Sequence, residues 1–431
     1  MYCGYITTLR NLKKHSNADR LQCVEVFGQN VIVNLDYYEG QKVVFFPADG
    51  QLSLEFATDN NLIRKKDEHG NNIGGYMDEQ KRNIKAIRLR GEKSEGIVLP
   101  LESLSKYTDI GKLKNGDQIS ILNGQEICRK YIPKSIKSNQ TTTKKTSHKN
   151  KSITYPFFME HLDTNHLVYN LNAFKPGDTV YITRKLHGTS GRTMKTVKVE
   201  EKRNVIRRLF HMNPRIYKTV DVISGSRRVV LDKFGNGGYY HDNAFREKYH
   251  TLLKDKLPEG MEIFYEIVGY VDENTPIMGT TSNSKVKDKE FVKKFGKETV
   301  FSYGCHPGES EMYVYRITMT SSDGTVIELP WETVLIWCER LGLNAVPTLE
   351  KFIFTSEEDL LNRVHKYTEG MPVDEIGRNH IAEGVVVRID NREKFTAYKE
   401  KVFEFKVIEG IIKDTSNAPD MEEYEEVLKN E

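Results

Sequence analysis

Residues Tyr181–Thr193 read YITRKLHGTSGRT. The first half is a strand-like run, and Lys185 stands where that run ends. Histidine, glycine and threonine follow at once, which indicates that the chain turns directly after the lysine. A lysine fixed at a strand end beside a tight turn is held in one direction. Such placement is what an amine needs when it reacts with a bound substrate.

A reactive lysine requires particular neighbours, because its free pKa of about 10.4 keeps it protonated at neutral pH. Nearby cations or a metal ion lower that pKa. Glu266 lies inside the apolar run FYEIVGY, where a buried carboxylate must be paired or ligated, and Glu383 stands at the mouth of the run GVVVRI. Lys399 and Lys401 are two apart in AYKEKVFEF, so on a strand they face the same way. Two adjacent like charges indicate a strongly negative ligand such as a triphosphate.

Composition predicts a soluble, intracellular protein of two or three domains, since the chain has 431 residues. The net charge is only +3, so a nucleic-acid surface must be a local patch. The five cysteines form no CxxC pair, which argues against a zinc site and for a reducing compartment, cytoplasmic or nuclear. We find no apolar run long enough to cross a membrane and expect no membrane partner.

The clearest domain boundary is the lysine-rich, acid-free stretch KSIKSNQTTTKKTSHKNK. Such a composition buries too little apolar surface to offset the entropy of ordering, so residues 134–152 are predicted to be a flexible basic linker. A solvated tether and loose contact with phosphates remain alternatives for its role. The linker divides the chain into predicted domains 1–133 and 153–431.

The first domain is β-rich. Its short strand-like runs, separated by turn residues, are LQCVEVFG, NVIVNL, QKVVFFP, KAIRLRG, EGIVLPL and DQISIL. Five or six such strands predict a small barrel. HSNADRLQCVEVFG and IKAIRLRGEKSEGIVLPL resemble OB-type tRNA-binding modules appended to aminoacyl-tRNA synthetases. The resemblance implies an OB-like nucleic-acid-binding domain, with Lys85, Arg88, Arg90 and Lys93 as candidate contacts. These bases could equally be solubilising surface residues.

The second domain mixes strands and helices. Strands are predicted for DTVYITRK, MEIFYEIVG, TVFSYG and GVVVRI, and helices for DNAFREKYHTLLKDKL and WETVLIWCERLGL. There is no phosphate-binding GxxxxGK[ST] loop and no dinucleotide-binding GxGxxG after a strand. The basic insert at residues 200–218 is expected to be a solvated helix, with an RNA-facing flap as the alternative.

The ordered motifs KLHG, GSRR, FYEIVG, MYVYRI, EGVVVR and YKEK resemble those of the covalent nucleotidyltransferase superfamily, which includes ATP-dependent ligases and mRNA capping enzymes. The resemblance implies an α+β fold, with an adenylyltransferase domain of antiparallel sheets and flanking helices after the OB-like barrel. It also implies that Lys185 becomes attached to a nucleoside monophosphate within a turn completed by His187 and Gly188. Arg227 would contact the ribose or direct the substrate.

The remaining motifs imply the rest of the nucleotide site. Glu266 and Glu383 would be the carboxylates associated with Mg²⁺ or Mn²⁺. Tyr315 would stack on adenine, with Tyr313 as the second candidate. Lys399 and Lys401 would contact the α-phosphate.

Two features narrow the resemblance to RNA ligases. His187 stands where DNA ligases and capping enzymes carry aspartate, and several RNA ligases carry histidine there. Too few residues follow Phe405 to form the OB domain that DNA ligases and capping enzymes place after their last motif. The OB-like module is N-terminal instead, as in the fifth RNA-ligase family. The implied activity is ATP-dependent joining of RNA 3′-hydroxyl and 5′-phosphate ends in RNA repair, through a lysyl-adenylate and an adenylated RNA end, with nicked duplex as the expected substrate.

Three other functions remain open from the residues alone. A DNA ligase or an RNA guanylyltransferase would use the same lysine chemistry on another polymer or nucleotide. A non-catalytic RNA-binding protein would use the OB barrel and retain a degenerate ligase domain.

Overall fold

The computed structural model describes residues 2–133, 153–161, 164–203, 209–227, 230–231, 234 and 244–415. We label the strands of five or more residues β1 Gly4–Thr8, β2 Leu21–Val26, β3 Gln29–Asn34, β4 Lys42–Pro47, β5 Gly96–Pro100, β6 Thr179–Lys185, β7 Thr189–Lys202, β8 Arg215–Gly225, β9 Met261–Gly269, β10 Ser310–Thr320, β11 Thr348–Ile353, β12 Gly384–Ile389 and β13 Thr396–Lys401. The α-helices are α1 Leu54–Asp59, α2 Ala244–Lys254, α3 Lys289–Phe295, α4 Trp331–Leu341, α5 Glu357–Thr368 and α6 Phe403–Thr415.

Shorter strands extend the sheets. They are Lys13–Lys14, Gly50–Leu52, Lys65–Lys66, Asn72–Gly74, Ile87–Leu89, Glu92–Ser94, Gln118–Ile119, Ile121–Leu122, Gln125–Glu126, Cys128–Lys130, Ile153–Thr154, Asn165–His166, Val230–Leu231, Thr281–Ser282, Glu298–Thr299, Val326–Glu328 and Asn344–Ala345. None of the helices in the described residues is long and apolar enough to cross a membrane.

The chain forms two compact units. The first comprises Met1–Lys134, Asn283–Val292 and Phe403–Asn417, and the second comprises Ser135–Ser282, Lys293–Val402 and Ala418–Glu431. Two segments from the second half of the sequence therefore belong to the N-terminal unit, whereas the sequence suggested a single boundary. The predicted linker, residues 134–152, lies outside the described residues.

The first unit is built on a four-stranded antiparallel sheet in the order β5, β4, β1 and Gln118–Ile119. The β2–β3 hairpin pairs with Lys13–Lys14 in a second sheet, and its tight turn places Phe27 and Gly28 at φ 52° and 72°. Ile6, Val44 and Phe46 of the four-stranded sheet are buried in a core that also contains Leu52 and, from α1, Phe56. Most predicted strands are present, although KAIRLRG contributes only Ile87–Leu89. The described sheets do not close into one barrel, so the OB assignment remains a prediction.

The second unit contains two larger sheets. A five-stranded sheet has the order Asn165–His166, β13, β12, β6 and β11. An eight-stranded sheet has the order Val230–Leu231, β8, β7, β9, β10 and Val326–Glu328, with Ile153–Thr154 on β7 and Asn344–Ala345 on β10. Strand β6 belongs to one sheet and β7 to the other, so residues 186–188 connect the two. The mixed, mostly sheet architecture confirms the α+β prediction at that level.

One face of the five-stranded sheet is apolar. Val180 and Ile182 of β6 pack with Val385 and Val387 of β12 in a core that also contains Leu360 of α5. Because side chains alternate along a strand, the opposite face of β6 carries Tyr181, Thr183 and Lys185. The candidate nucleophile thus points away from the core.

One predicted element is wrong, and a second is wrong at its two ends. TVFSYG was predicted to be a strand, but only its first residue, Thr299, lies in one. Tyr303 and Gly304 have φ of 52° and 81°, which bends the chain into a turn. The insert was predicted to be a solvated helix, yet its ends lie in paired strands, with Lys202 of β7 opposite Arg215 of β8. Residues 204–208 lie outside the described residues.

A buried ion-pair network joins the two sheets. Glu328 lies 2.8 Å from Arg316 Nη2 and 3.4 Å from Arg388 Nη2, and Arg388 Nε lies 3.3 Å from Asp390. The Glu328 side chain is 6% exposed, so both guanidinium groups rely on a carboxylate that water barely reaches.

We expect Glu328→Ala to lower the free energy of unfolding by about 3–5 kcal/mol, because the guanidinium groups of Arg316 and Arg388 would lose this buried carboxylate partner. Denaturant unfolding measures the loss. The control is Glu332→Ala, which removes an exposed carboxylate paired with Lys351 and should change stability little. Equal losses in the two variants would contradict a structural role for the network.

Candidate active site

The site is centred on one row of residues across the five-stranded sheet. Lys185 at the end of β6 pairs with Gly384 on β12, and Gly384 pairs with Lys401 on β13. Directly paired residues in antiparallel strands point to the same face. Lys185 and Lys401 therefore flank a residue that has no side chain. Lys399 lies two residues before Lys401, so it faces the same way.

Both lysines of this row contact one buried carboxylate. Lys185 Nζ lies 2.8 Å from Glu383 Oε1, and Lys401 Nζ lies 3.5 Å from the same oxygen. The Glu383 side chain is 2% exposed. Burial acts to raise the pKa of Glu383, but the positive charges of Lys185 and Lys401 outweigh it and lower the pKa overall. The carboxylate is therefore ionised at neutral pH.

The second oxygen of this carboxylate is different. Glu383 Oε2 is buried and has no hydrogen-bond partner among the described residues. An ionised oxygen in that state is costly unless a ligand, a metal ion or water satisfies it. The geometry thus leaves one acceptor of Glu383 for a bound group, while the other holds the two lysines.

The turn after Lys185 packs closely on β9. A Cβ added to Gly188 would lie 2.3 Å from the carbonyl oxygen of Ile267 and 2.9 Å from Cγ of Glu266. Only glycine allows this approach without a backbone shift. Glu266 therefore lies directly against the turn, as the sequence suggested for a carboxylate of the same site.

His187 is fixed by two contacts. Its backbone N–H donates to the hydroxyl of Tyr303 at 2.6 Å, and its ring meets the ring of Phe301 edge-on at 4.8 Å. The positive form of His187 would help to lower the pKa of Glu383, after Lys185 and Lys401. Four predicted site residues, Lys185, His187, Gly188 and Glu383, are thus brought together with Lys401.

Arg227 and Tyr315 both contact His161, a residue that the sequence analysis did not single out. The backbone carbonyl of Arg227 accepts the N–H of His161 at 3.1 Å, and the ring of His161 lies 6.0 Å from that of Tyr315. Tyr315 sits at a register shift of β10 against β9, which re-aims its side chain. Tyr313 instead lies directly opposite Glu266. His161 was not predicted, and a lone histidine outside any motif offers no sequence signal.

The donors suit a hard divalent cation better than zinc. The described residues contain no group of three or more His, Cys, Asp and Glu side chains that could hold a metal ion. Carboxylate oxygens are ligands that magnesium and manganese prefer, whereas zinc is mostly held by cysteine and histidine. Magnesium is commonly held through one or two carboxylates together with phosphate oxygens and water. Glu383 Oε2, which has no hydrogen-bond partner among the described residues, fits that pattern. Glu266 is the second predicted metal-binding carboxylate.

The candidate nucleic-acid residues in the N-terminal unit separate into two pairs. Arg88 contacts Asp288 at 3.0 Å and Glu404 at 2.9 Å, and Lys93 lies 3.6 Å from Glu404. Their charges are partly neutralised inside the unit. Lys85 is exposed, and Arg90 is exposed in the turn between Ile87–Leu89 and Glu92–Ser94, with φ of 51°.

The part of the chain that carries this lysine–carboxylate row matches the model of a known protein family. The RNA ligase family model matches residues 178–408. That range covers more than half of the chain and every residue of the row, so the chain belongs to the RNA ligase family, within the covalent nucleotidyltransferase superfamily. No curated protein sequence is significantly similar to the chain.

Solved structures of one RNA ligase share the fold. The RNA ligase of Naegleria gruberi with pyrophosphate has a TM-score of 0.56 and 14% identity, over 96% of this chain and 98% of that one. A lysine-to-alanine variant of the same ligase with ATP and manganese has a TM-score of 0.56 and 15% identity, over 94% and 98%. A lysine-to-methionine variant with AMP and manganese has a TM-score of 0.56 and 16% identity, over 94% and 97%. At such identity the likeness establishes the fold.

Proposed function

We propose that this protein is an ATP-dependent RNA ligase that uses Lys185 as its nucleophile. The observation that carries the proposal is the arrangement of Lys185 and Lys401 on one oxygen of Glu383, at the edge of the turn formed by His187 and Gly188. Membership of the RNA ligase family supports it. Complexes of the Naegleria ligase with ATP, AMP, pyrophosphate and manganese show that the shared fold holds such ligands in that protein.

In the first step, Lys185 Nζ attacks the α-phosphorus of ATP. A nitrogen–phosphorus bond forms and the bond to pyrophosphate breaks. The ammonium group gives up one proton to solvent before the attack and a second one as the phosphoramidate forms, and the nitrogen keeps the third. Glu383 stabilises the protonated form of Lys185, so this salt bridge must open before the amine reacts. The positive charge of Lys401 beside it favours the neutral amine.

Lys399 and Lys401 act on the phosphate. Their same-face placement on β13 directs two positive charges to where negative charge develops on the α-phosphate oxygens. Glu266 and Glu383 would hold Mg²⁺ or Mn²⁺, which supplies further positive charge at the phosphates when bound. Tyr315 and Arg227 would contact the adenosine.

The remaining steps join RNA ends. The AMP group passes from Lys185 to the 5′-phosphate of an RNA, and a 3′-hydroxyl then attacks that phosphate and releases AMP. We propose that the N-terminal residues 1–133 form an OB-like module that holds the RNA backbone, as in the fifth RNA-ligase family, with residues 134–152 as its linker to a ligase domain at 153–431. Lys85 and Arg90 are its most accessible candidate contacts, and binding should weaken steeply with salt. The expected substrate is a nicked duplex in an intracellular, reducing compartment.

The test has two parts. The protein is incubated with ATP labelled on the α-phosphate and magnesium, then denatured, and the label on the chain is measured. A nicked RNA duplex and the corresponding DNA duplex are then offered. Covalent label from ATP and sealing of the RNA nick are expected. Label from GTP alone would indicate a guanylyltransferase, sealing of DNA alone a DNA ligase, and the absence of any label an RNA-binding protein.

We expect Gly188→Ala to slow adenylation by about 100-fold, because its Cβ would force the turn away from Ile267 by roughly an ångström. The rate of label incorporation at saturating ATP measures this. Gly410→Ala is the control, since a Cβ at this position of α6 would meet nothing within 4 Å. Equal rates in the two variants would show that the close approach of the turn to β9 does not matter for the reaction.

A further inference from the structure

Behind the Lys185 turn lies a buried aromatic cluster formed by Phe301, Tyr303 and His380. Phe301 and His380 are each 1% exposed, and Tyr303 is 3% exposed. The Tyr303 and His380 rings meet edge-on at 4.4 Å between centroids, and those of Phe301 and His380 do so at 5.1 Å. No catalytic motif includes these residues, and the stretch that carries Tyr303 was expected to be a strand.

The cluster touches the nucleophile turn at its backbone. The Tyr303 hydroxyl accepts the His187 N–H at 2.6 Å, and His187 is two residues from Lys185. Burial and the negative charges of Asp374 and Glu383 raise the pKa of Tyr303 well above its usual range, so the phenol stays neutral. A neutral hydroxyl on a closely packed ring is a fixed acceptor for the backbone of this turn.

The same cluster also supports the carboxylate. His380 precedes Glu383 by three residues, and its Nδ1 lies 2.9 Å from the carbonyl oxygen of Ile381. The segment is held by backbone hydrogen bonds from Asp374 N–H to the His380 carbonyl at 3.0 Å and from Ala382 N–H to the Pro372 carbonyl at 2.9 Å. Through its contact with His380, Tyr303 therefore packs against the segment that leads into β12 and carries Glu383.

The backbone around Tyr303 is itself strained and tightly packed. A left-handed φ of 52° is uncommon for a bulky aromatic residue. The next residue, Gly304, lies so near Gly377 that a Cβ on Gly377 would be 2.3 Å from Gly304 N. Such a conformation persists only where the surroundings determine it, and it is commonly found at functional sites.

We infer that Tyr303 is a positioning residue, which through its hydroxyl and its ring on His380 sets the position of Lys185 relative to Glu383. This role rests on the proposed adenylation by Lys185. Tyr303 acts through the backbone of the turn, so its effect should fall on the rate of the first step and hardly on ATP binding.

The test is Tyr303→Phe, which removes only the hydroxyl. At saturating ATP the rate of Lys185 adenylation should fall by about 10- to 100-fold, while the KM for ATP changes less than about twofold. Tyr249→Phe is the matched control: Tyr249 on α2 is 2% exposed, and its hydroxyl lies 2.9 Å from Oγ of Ser310 on β10. The control should adenylate at the normal rate and lose at least as much thermal stability.

Three outcomes decide the matter. Wild-type protein that takes no label from ATP would refute the proposed function itself. Labelled wild type with an equally fast Tyr303→Phe variant would refute the positioning role and leave the ligase intact. A rise in KM with an unchanged maximal rate would likewise contradict it. If Tyr303→Phe does not fold, His380→Phe keeps the hydroxyl but alters its support, and a rate loss at constant KM is expected there too.

Discussion

Lys185→Arg should abolish covalent labelling of the protein by ATP. Arginine keeps the positive charge that Glu383 binds, but its guanidinium does not lose a proton in proteins and so cannot attack phosphorus. The fold and the salt-bridge partner are thereby preserved while the nucleophile is removed. Label on the denatured chain measures the result, and Lys351→Ala, at an exposed lysine on β11 of the same sheet, should label normally.

The same variant offers an internal control for the later chemistry. A nicked duplex that already carries AMP on its 5′-phosphate bypasses the lysine, so Lys185→Arg should still seal it when ATP is omitted. Sealing of this substrate would show that the variant is folded and that only the first step is lost. Normal labelling of Lys185→Arg would place the nucleophile elsewhere.

Glu383→Gln should reduce labelling by about 10²- to 10³-fold, which is comparable to the loss of one preorganised electrostatic contact from an active site. The substitution keeps the shape of the side chain but removes the charge that holds Lys185 and Lys401. It also removes the ionised oxygen that the structure leaves without a partner. The repulsion between the two ammonium groups would then lose the negative charge of Glu383 that offsets it.

The rate of label incorporation, measured across magnesium and manganese concentrations, reports this effect. Glu357→Gln, at an exposed position in the first turn of α5, is the control and should behave as wild type. A Glu383→Gln variant that labels at the normal rate would contradict the shared-carboxylate arrangement. If a high metal concentration restores the labelling rate of Glu383→Gln, then Glu383 acts mainly by binding the metal ion and less by pairing with the lysines.

Much of the catalytic unit could be predicted from sequence because its strands carry strong local signals. The runs that form β6, β9 and β12 are rich in β-branched and aromatic residues, and each was predicted close to its observed bounds. The order of the motifs along these strands then predicted that Lys185, Glu383 and Lys401 would meet. That is what the register across Gly384 produces.

The failures have a tertiary origin. Tyr303 belongs to a run with strand-like composition, yet packing against His380 and Gly377 forces a left-handed backbone that local propensity does not predict. Arg88 looked like a surface base, but Asp288 and Glu404, distant in sequence, neutralise it. His161 lacks any motif, and its contacts with Arg227, Tyr315 and Arg316 arise only in the folded chain.

The most direct test is to locate the AMP group on the wild-type chain. After incubation with ATP and magnesium, the protein is digested under alkaline conditions, which preserve a phosphorus–nitrogen bond, and the modified peptide is sequenced by mass spectrometry. We expect AMP on Lys185 and its release in acid. AMP on any other residue, or an unmodified Lys185 in protein that seals RNA nicks, would contradict the assignment of this lysine as the nucleophile.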